Sequence, residues 1–469
     1  MPFSNTDFLF LFLPVFLIAY ALLPARNALY LGFSVFFYFV GEGWYLGVVI
    51  ASMVANYGFG LMIDRAEHRR RLAVSIAVGA NLLSLVVFKY LGFLSVSLLG
   101  VAPDSRLATI HLPLGISFFT FHAISYLVDV YRRDVRAERS FVDLSLYMMM
   151  FPQLISGPIL RFHLIAPQLR KRIVNAQKVY FGACLFCLGL AQKVLLADTL
   201  AGICDPLFSH WRSLSTATAW LAAVTYTLQI YFDFGGYSNM AIGLGWATGF
   251  FYPRNFDYPY ISQSITEFWR RWHMSLSRWF RDYLYVPLGG NRHGPAKTYR
   301  NLIVVFLLCG VWHGASWTFV LWGIYHGALL VLERLGLGRL LEAAPRPARH
   351  LYAMAAVIFG WVLFRADSLK QIGFMMRRMI VVGPTHDVDI LYHLSHSEIV
   401  TIVIAMAAST PILARLVRQG ALLPSMPPWD EVRPAWAYWT GGLISLVLFV
   451  AASIKVISGA YSPFIYFRF

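Results

Sequence analysis

Charge is what this chain has least of. Only 13% of its 469 residues are Asp, Glu, Lys or Arg, against about 25% in an ordinary soluble domain. A fully hydrated surface is excluded, and with 58% hydrophobic residues the solvent for most of the chain is lipid. Acidic residues are scarcer still, 23 against 39 Lys and Arg, a formal net charge of +16. In a soluble protein that excess would point to nucleic acid. Here it marks cytoplasmic loops beside a lipid bilayer, and no nucleic-acid partner is expected. Cysteine is limited to Cys184, Cys187, Cys204 and Cys309. The C-x-x-C pair lies inside an apolar helical pattern ("ACLFCLG"), which argues for packing rather than redox or metal chemistry. With no second ligand pair, no metal is expected. A phosphate-binding glycine loop, a G-x-S-x-G elbow, a low-complexity tail and a soluble domain are also missing. The first residues, "MPFSNTDF", hold no Lys or Arg, so the apolar stretch after them reads as a first span, not a cleaved signal.

What is present is a series of apolar stretches about 20 residues long, each able to cross a bilayer. Three basic loops, at 64–71, 131–139 and 161–172, are assigned to the cytoplasm. Three spans precede the first loop (6–24, 27–42 and 44–63), which puts the N-terminus outside; two more (72–99 and 107–130) separate it from the second. A single full span between the second and third loops would put them on opposite faces. That segment also carries Pro152, Gly157 and Pro158, so a broken, re-entrant element lining a cavity is predicted. Residues 249–300 are too polar to span and rich in Trp and Tyr, which suits cytoplasmic-side helices dipping into the membrane. The run 301–333 is too long for one span and is predicted to form a hairpin broken at Gly310–Gly314. Stretches 350–364, 397–417 and 437–457 read as ordinary spans. The fold class predicted is all-α and polytopic, one integral membrane domain over 1–469.

Chemistry is sought where ionisable groups sit at membrane depth, because such placement is costly. His313, in "CGVWHGASWTF", falls at the predicted break with Trp312 before it and Gly310 and Gly314 on either side. It is either a packing histidine or a base that another chain can approach closely. His273 follows Trp272 in "EFWRRWHMSLSRWFRDY"; at helical spacing Trp269, Trp272 and His273 share a face. That segment fits an interfacial amphipathic helix, and Arg270 and Arg271 also fit the phosphate of an acyl donor. Asp233, in "QIYFDFGGYSNMAIG", reads as the cap of a helix break or as an orienting carboxylate. His122 lies seven residues before Asp129 on one helical face and is assigned to a cavity wall.

Several segments are recognisable in order: "LPLGISFFTFHAISYLVDVYR", "FPQLISGPILRF", "YFDFGGYSNMAIGLG", "NFDYPYISQSITEFWRRWHMSLSRWFRDYLYVPLGGNR" and "VWHGASWTFVLWGIYHG". Together they resemble the membrane-bound O-acyltransferase family over at least 111–333, and within it the bacterial branch of alginate O-acetylation, with relatives in cellulose acetylation and teichoic acid D-alanylation. The resemblance implies a ring of tilted and re-entrant helices around a trans-membrane funnel. It makes His313 the catalytic residue and His273 the second family position. Trp272, Trp312, Asp233, His122, Arg270 and Arg271 become candidate substrate- and donor-binding residues. His122 stands where a more neutral polar residue is expected, a sign of branch identity.

The function expected is acyl transfer, acetyl above all, from a cytoplasmic thioester to an exported polysaccharide across the bacterial inner membrane, with His313 as base. No permanently bound cofactor is expected; the donor is acetyl-CoA or an acyl-carrier thioester. The family's alginate proteins tend to be longer than this chain, which leaves cellulose or another exopolysaccharide open beside alginate. The resemblance also implies a periplasmic or membrane-anchored acetyltransferase partner with a serine-hydrolase-like (SGNH) fold, and a polysaccharide synthase and export complex. The outer segment 366–398 is too short for a glycan-binding domain, and the aromatic C-terminus "YSPFIYFRF" is a docking candidate. Two alternatives stand beside this: a transporter or channel with a histidine proton relay, against which the lack of paired halves counts, and D-alanyl transfer to teichoic acid.

Overall fold

The computed structural model describes residues 2–102, 104–382, 394–412, 434–459 and 464. Among them every regular element is helical and no strand occurs. A helix satisfies its own backbone amides, which is what an apolar stretch needs where no water is present. The protein is an all-α polytopic membrane protein. Its chain divides into two compact units, Met1–Phe186 with Met240–Pro253, and Cys187–Asn239 with Arg254–Phe469.

In the first unit a π-turn at Phe8–Phe12 leads into α1 (Leu13–Leu22), followed by α2 (Arg26–Glu42) and α3 (Leu46–Arg65). Next come α4 (Arg70–Leu85), which continues through the π-turn Val86–Tyr90 into α5 (Leu91–Leu99), then α6 (Ile116–Arg132), α7 (Phe141–Met149), α8 (Phe151–Leu154), α9 (Phe162–Arg170) and α10 (Ala176–Ala191). Helices α3 and α4 are joined by a reciprocal amide exchange. Asn56 Nδ2 donates to Asn81 Oδ1 at 3.1 Å and Asn81 Nδ2 donates to Asn56 Oδ1 at 2.8 Å, both residues buried. The predicted break in 140–160 is present between α7 and α8. Freed backbone groups there find partners: Phe151 N donates to Ser34 Oγ at 3.2 Å, and Gln153 Nε2 donates to Tyr147 O at 2.5 Å. The Phe151 ring is held by Phe12, Phe16 and Phe37, with centroids 5.2, 5.1 and 5.4 Å away.

One span is shorter than expected. Helix α6 starts at Ile116, not near 107, because Pro113 has no amide to donate and Gly115 adopts φ +75°. A side chain on Gly115 would also meet Leu154 O at 2.6 Å.

The second unit contains α11 (Asp198–Ser209), α12 (Thr216–Ala247), α13 (Ile265–Arg271), α14 (Met274–Phe280), α15 (Pro295–His313), α16 (Trp317–Leu332), α17 (Gly338–Ala343), α18 (Arg346–Arg365), α19 (Leu369–Ile380), α20 (His396–Ala408) and α21 (Ala435–Ile457); the unit boundaries fall inside α10 and α12. The helix break expected around Asp233 is absent, since α12 runs unbroken for 32 residues. Its glycine serves close approach instead: a Cβ on Gly236 would lie 2.6 Å from Gly189 O.

Among the described residues six helical runs are long and apolar enough to cross a membrane: Arg26–Arg65, Arg70–Leu99, Ala176–Ser209, Trp317–Ala343, Arg346–Arg365 and Ala435–Ile457. Span 397–417 appears as the shorter α20, with 413–417 outside the described residues, as are 383–393 of the predicted outer segment. Of the C-terminal aromatic stretch only Phe464 is described; it is buried, stacked at 4.8 Å on Tyr237.

Candidate active site

The hairpin that carries His313 is built by glycines. A Cβ on Gly310 would come within 2.3 Å of Phe319 O, and one on Gly323 within 2.4 Å of Phe306 O, so α15 and α16 touch backbone to backbone. The chain turns over residues 314–316, with Gly314 and Ser316 extended, a little beyond the predicted Gly310–Gly314, and His313 is the last residue of α15. The chain that approaches the imidazole is thus the second arm of its own hairpin. A side chain on Gly314 would strike the Phe319 ring at 2.2 Å.

His313 is buried among rings. Trp312, Phe364 and Trp322 meet it edge to face at 4.7, 5.0 and 5.1 Å, and Phe319 lies 6.4 Å away. Trp312 also faces His273, at 6.3 Å, so one indole borders both candidate histidines. His273 is fully buried, Phe234 packs edge-on against it at 4.6 Å, and neither ring nitrogen has a hydrogen-bond partner among the described residues. It lies outside the apolar spans, and burial lowers its pKa, which favours the neutral ring.

The surroundings of His273 correct one expectation. Trp269, Trp272 and His273 do not share the face of one helix, because the chain breaks between α13 and α14 at Trp272–His273. His273 itself adopts φ +42°, ψ +54°, a left-handed conformation uncommon outside glycine. The loop before α13 satisfies the break. Asn255 O accepts from Met274 N at 2.9 Å, Asn255 Oδ1 accepts from Ser275 N and Oγ at 3.2 and 2.9 Å, and Asp257 N donates to Arg271 O at 3.0 Å. At the other end of α13, the buried Glu333 carboxylate accepts from Ile265 N, Thr266 N and Thr266 Oγ1 at 2.6, 3.0 and 2.6 Å. Trp272 packs on Trp361 at 4.7 Å and on Phe256 at 4.9 Å.

The remaining second-unit candidates have separate partners. Arg271 is ion-paired to Glu267 at 2.9 Å and to Asp257 at 3.3 Å, whereas Arg270 is exposed at the rim of a cleft. Asp233 is buried and pairs with Lys193 Nζ at 2.7 Å, which also reaches Asp198 at 2.5 Å. A buried ammonium is therefore an ion-pair partner of Asp233. His122 belongs to the first unit, buried beside Tyr147 at 5.3 Å, while Asp129 accepts from His163 Nδ1 at 2.9 Å. Among the described residues no three His, Cys, Asp or Glu side chains converge as a metal site would need.

Sequence reasoning missed Trp322, Phe364, Trp361, Asn255 and Glu333. Trp322 stood nine residues after His313 inside the same glycine- and tryptophan-rich stretch, but across the turn, where helical spacing no longer relates the two. Phe364 and Trp361 lie on α18 in a plain apolar pattern that carries no signal.

Residues 115–376 match the membrane-bound O-acyltransferase family. The chain is 41% identical over 507 aligned positions to a probable alginate O-acetylase, AlgI, of Azotobacter vinelandii, and 40% identical over 528 to the one of Pseudomonas aeruginosa, each match covering 100% of both chains. It is also 36% identical to a peptidoglycan O-acetyltransferase of Helicobacter pylori, over 81% of this chain and 79% of the relative.

Proposed function

The chain belongs to the membrane-bound O-acyltransferase family and is an O-acyltransferase, and from that premise we propose that it moves an acetyl group from a cytoplasmic thioester, acetyl-CoA or an acyl-carrier thioester, across the inner membrane for O-acetylation of an exported polysaccharide of the alginate type, with His313 as general base. The observation that carries the reading is the burial of His313 at the end of a glycine-packed hairpin, beside an indole that also borders His273. An alginate-type glycan is preferred because the alginate O-acetylases align over 100% of the chain, the peptidoglycan relative over 81%. A teichoic acid D-alanyltransferase of Bacillus subtilis aligns over only 43%.

In this reading a His313 ring nitrogen takes the proton of an acceptor hydroxyl as its oxygen bonds to the thioester carbonyl carbon. The tetrahedral intermediate collapses, the carbon–sulfur bond breaks, and the leaving thiolate receives the proton from the imidazolium. The aromatic cage excludes water, which would otherwise hydrolyse the thioester. The immediate acceptor is a periplasmic or membrane-anchored partner with a serine-hydrolase-like fold, working beside the polysaccharide synthase and export complex, and this partner modifies the glycan. Proteoliposomes with donor inside and glycan outside test both parts. His313→Ala, still folded, should lose about 10²–10⁴-fold in donor turnover; normal turnover would remove His313 from the chemistry. Acetylated glycan formed with this protein alone would remove the partner.

A further inference from the structure

A cleft of about 250 Å³ opens in the second unit away from the two histidines, lined by α13–α16 and the turn after α14. Its inner walls are apolar: Trp269, Leu276 and Phe280 on one side, Leu302, Phe306 and Cys309 on the other. From Leu302 to Cys309 the wall follows α15 for about 10 Å. Its mouth carries three guanidinium groups, from Arg270, Arg281 and Arg334. Arg281 Nε pairs with Asp282 at 2.7 Å and Arg334 Nη1 donates to Asn291 Oδ1 at 3.3 Å. Asp282, the partner of Arg281, does not itself line the cleft. Tyr285, also at the mouth, donates to Asn291 Oδ1.

Two further observations say what fits. The cleft lies along α15 and α16, and its neighbours Leu308, Leu332 and Leu335 are exposed, so the surface beside it is one that lipid covers. Its inner end is closed toward His313. Trp269 and Phe306 line it; behind Trp269 stands the fully buried Trp322, 5.6 Å from Trp269 and 5.1 Å from His313, and Trp269 Nε1 donates to His326 Nδ1 at 3.3 Å. Neither His313 nor His273 lines it. A molecule seated there meets cations at one end, mostly apolar side chains at the other, and neither of the two candidate histidines.

We propose that this cleft binds an anionic membrane phospholipid, its phosphate on Arg270, Arg281 and Arg334 and one acyl chain along Leu302–Cys309. Guanidinium groups match phosphate geometry with paired donors, and basic pockets between membrane helices bind anionic headgroups in this way.

The test uses the full-length protein in neutral detergent. Dioleoylphosphatidylglycerol and dioleoylphosphatidylcholine are titrated and retention is read by native mass spectrometry. The anionic lipid should bind at least tenfold more tightly. An Arg281→Gln/Arg334→Gln variant should lose at least tenfold of that affinity and leave phosphatidylcholine binding unchanged. The matching double Lys variant, which keeps both charges, should retain most of it. A photoreactive phosphatidylglycerol should label wild-type protein within 302–309. Equal retention of the two lipids, unchanged affinity in the Gln variant, or labelling elsewhere would overturn the proposal. So would displacement of the bound lipid by acetyl-CoA, which would make the cleft a donor site.

Discussion

Lys193 and His273 are both buried in the second unit, and their surroundings are opposite. Lys193 is enclosed by countercharge, with Asp198 at 2.5 Å and Asp233 at 2.7 Å; close by, Lys455 donates to Thr199 on the first turn of α11. His273 is enclosed by rings, with Phe234 at 4.6 Å and Trp312 at 6.3 Å, and His313 on the far side of Trp312 has the same kind of wall. A buried charge needs a partner and becomes part of the fold. For His273, enclosed by rings, burial lowers the pKa and favours the neutral imidazole. The difference separates two kinds of buried polar residue that look alike on cost alone.

The sharpest way to break this comparison is to exchange the expected phenotypes. His313→Ala should lower kcat by about 10²–10⁴-fold while the purified protein keeps its thermal unfolding temperature. A large loss of stability with full residual activity would reverse the roles. Lys193→Met should do the converse. It leaves two buried carboxylates facing one another, which costs about 3–5 kcal/mol, seen as a lowered unfolding midpoint or as aggregation on size exclusion. Adding Asp198→Asn and Asp233→Asn should recover most of that loss; no recovery would mean that the ion cluster is not what Lys193 supports.

A smaller effect tests the hairpin that holds His313. Gly310→Ala puts a methyl group against Phe319 O, at 2.3 Å before relaxation, and overpacking of this kind costs about 1–3 kcal/mol. Activity should fall along with stability, since the helices can separate only by moving His313. The smallest effect sharpens the account of His273. Its pKa is lowered by burial, so the unfolded chain, with an ordinary value near 6.5, binds the proton more readily. Stability from the neutral ring is therefore present above about pH 6.5 and is lost as the pH falls below it. Between pH 7.5 and 5.5 the wild type should lose about 1.4 kcal/mol more than His273→Gln. Parallel pH profiles would mean that the ring is protonated or solvated in the folded protein.

The parts of this molecule legible in its sequence are those governed by local cost. The apolar runs, the interrupted segment at 140–160, the hairpin after 301 and the position of His313 all follow from what lipid forbids. Boundaries were legible only where a local breaker set them; Pro113 and Gly115 could have shortened the fifth span, and the run from 107 hid them. Pairings across the chain were not legible. Asp233 and Lys193 are 40 positions apart, and nothing in "YFDFGGYSN" distinguishes a carboxylate that caps a break from one that meets a lysine on a neighbouring helix. The same holds for the turn at Trp272–His273. Seventeen residues of good helical pattern are split there by hydrogen bonds from Asn255 and Asp257, and helical spacing cannot report a competitor from another segment.

The amide exchange between Asn56 and Asn81 bears on how the protein is made. Each side chain is a liability in hydrocarbon until the other arrives, and only a four-residue connection at 66–69 separates their helices. Release of α3 into the bilayer before α4 has emerged would strand one asparagine. The expected biosynthetic unit is therefore the pair, entering the membrane as a hairpin with its basic connection left at one surface. A ribosome pause placed between these two helices would be expected to hurt yield more than one placed after both.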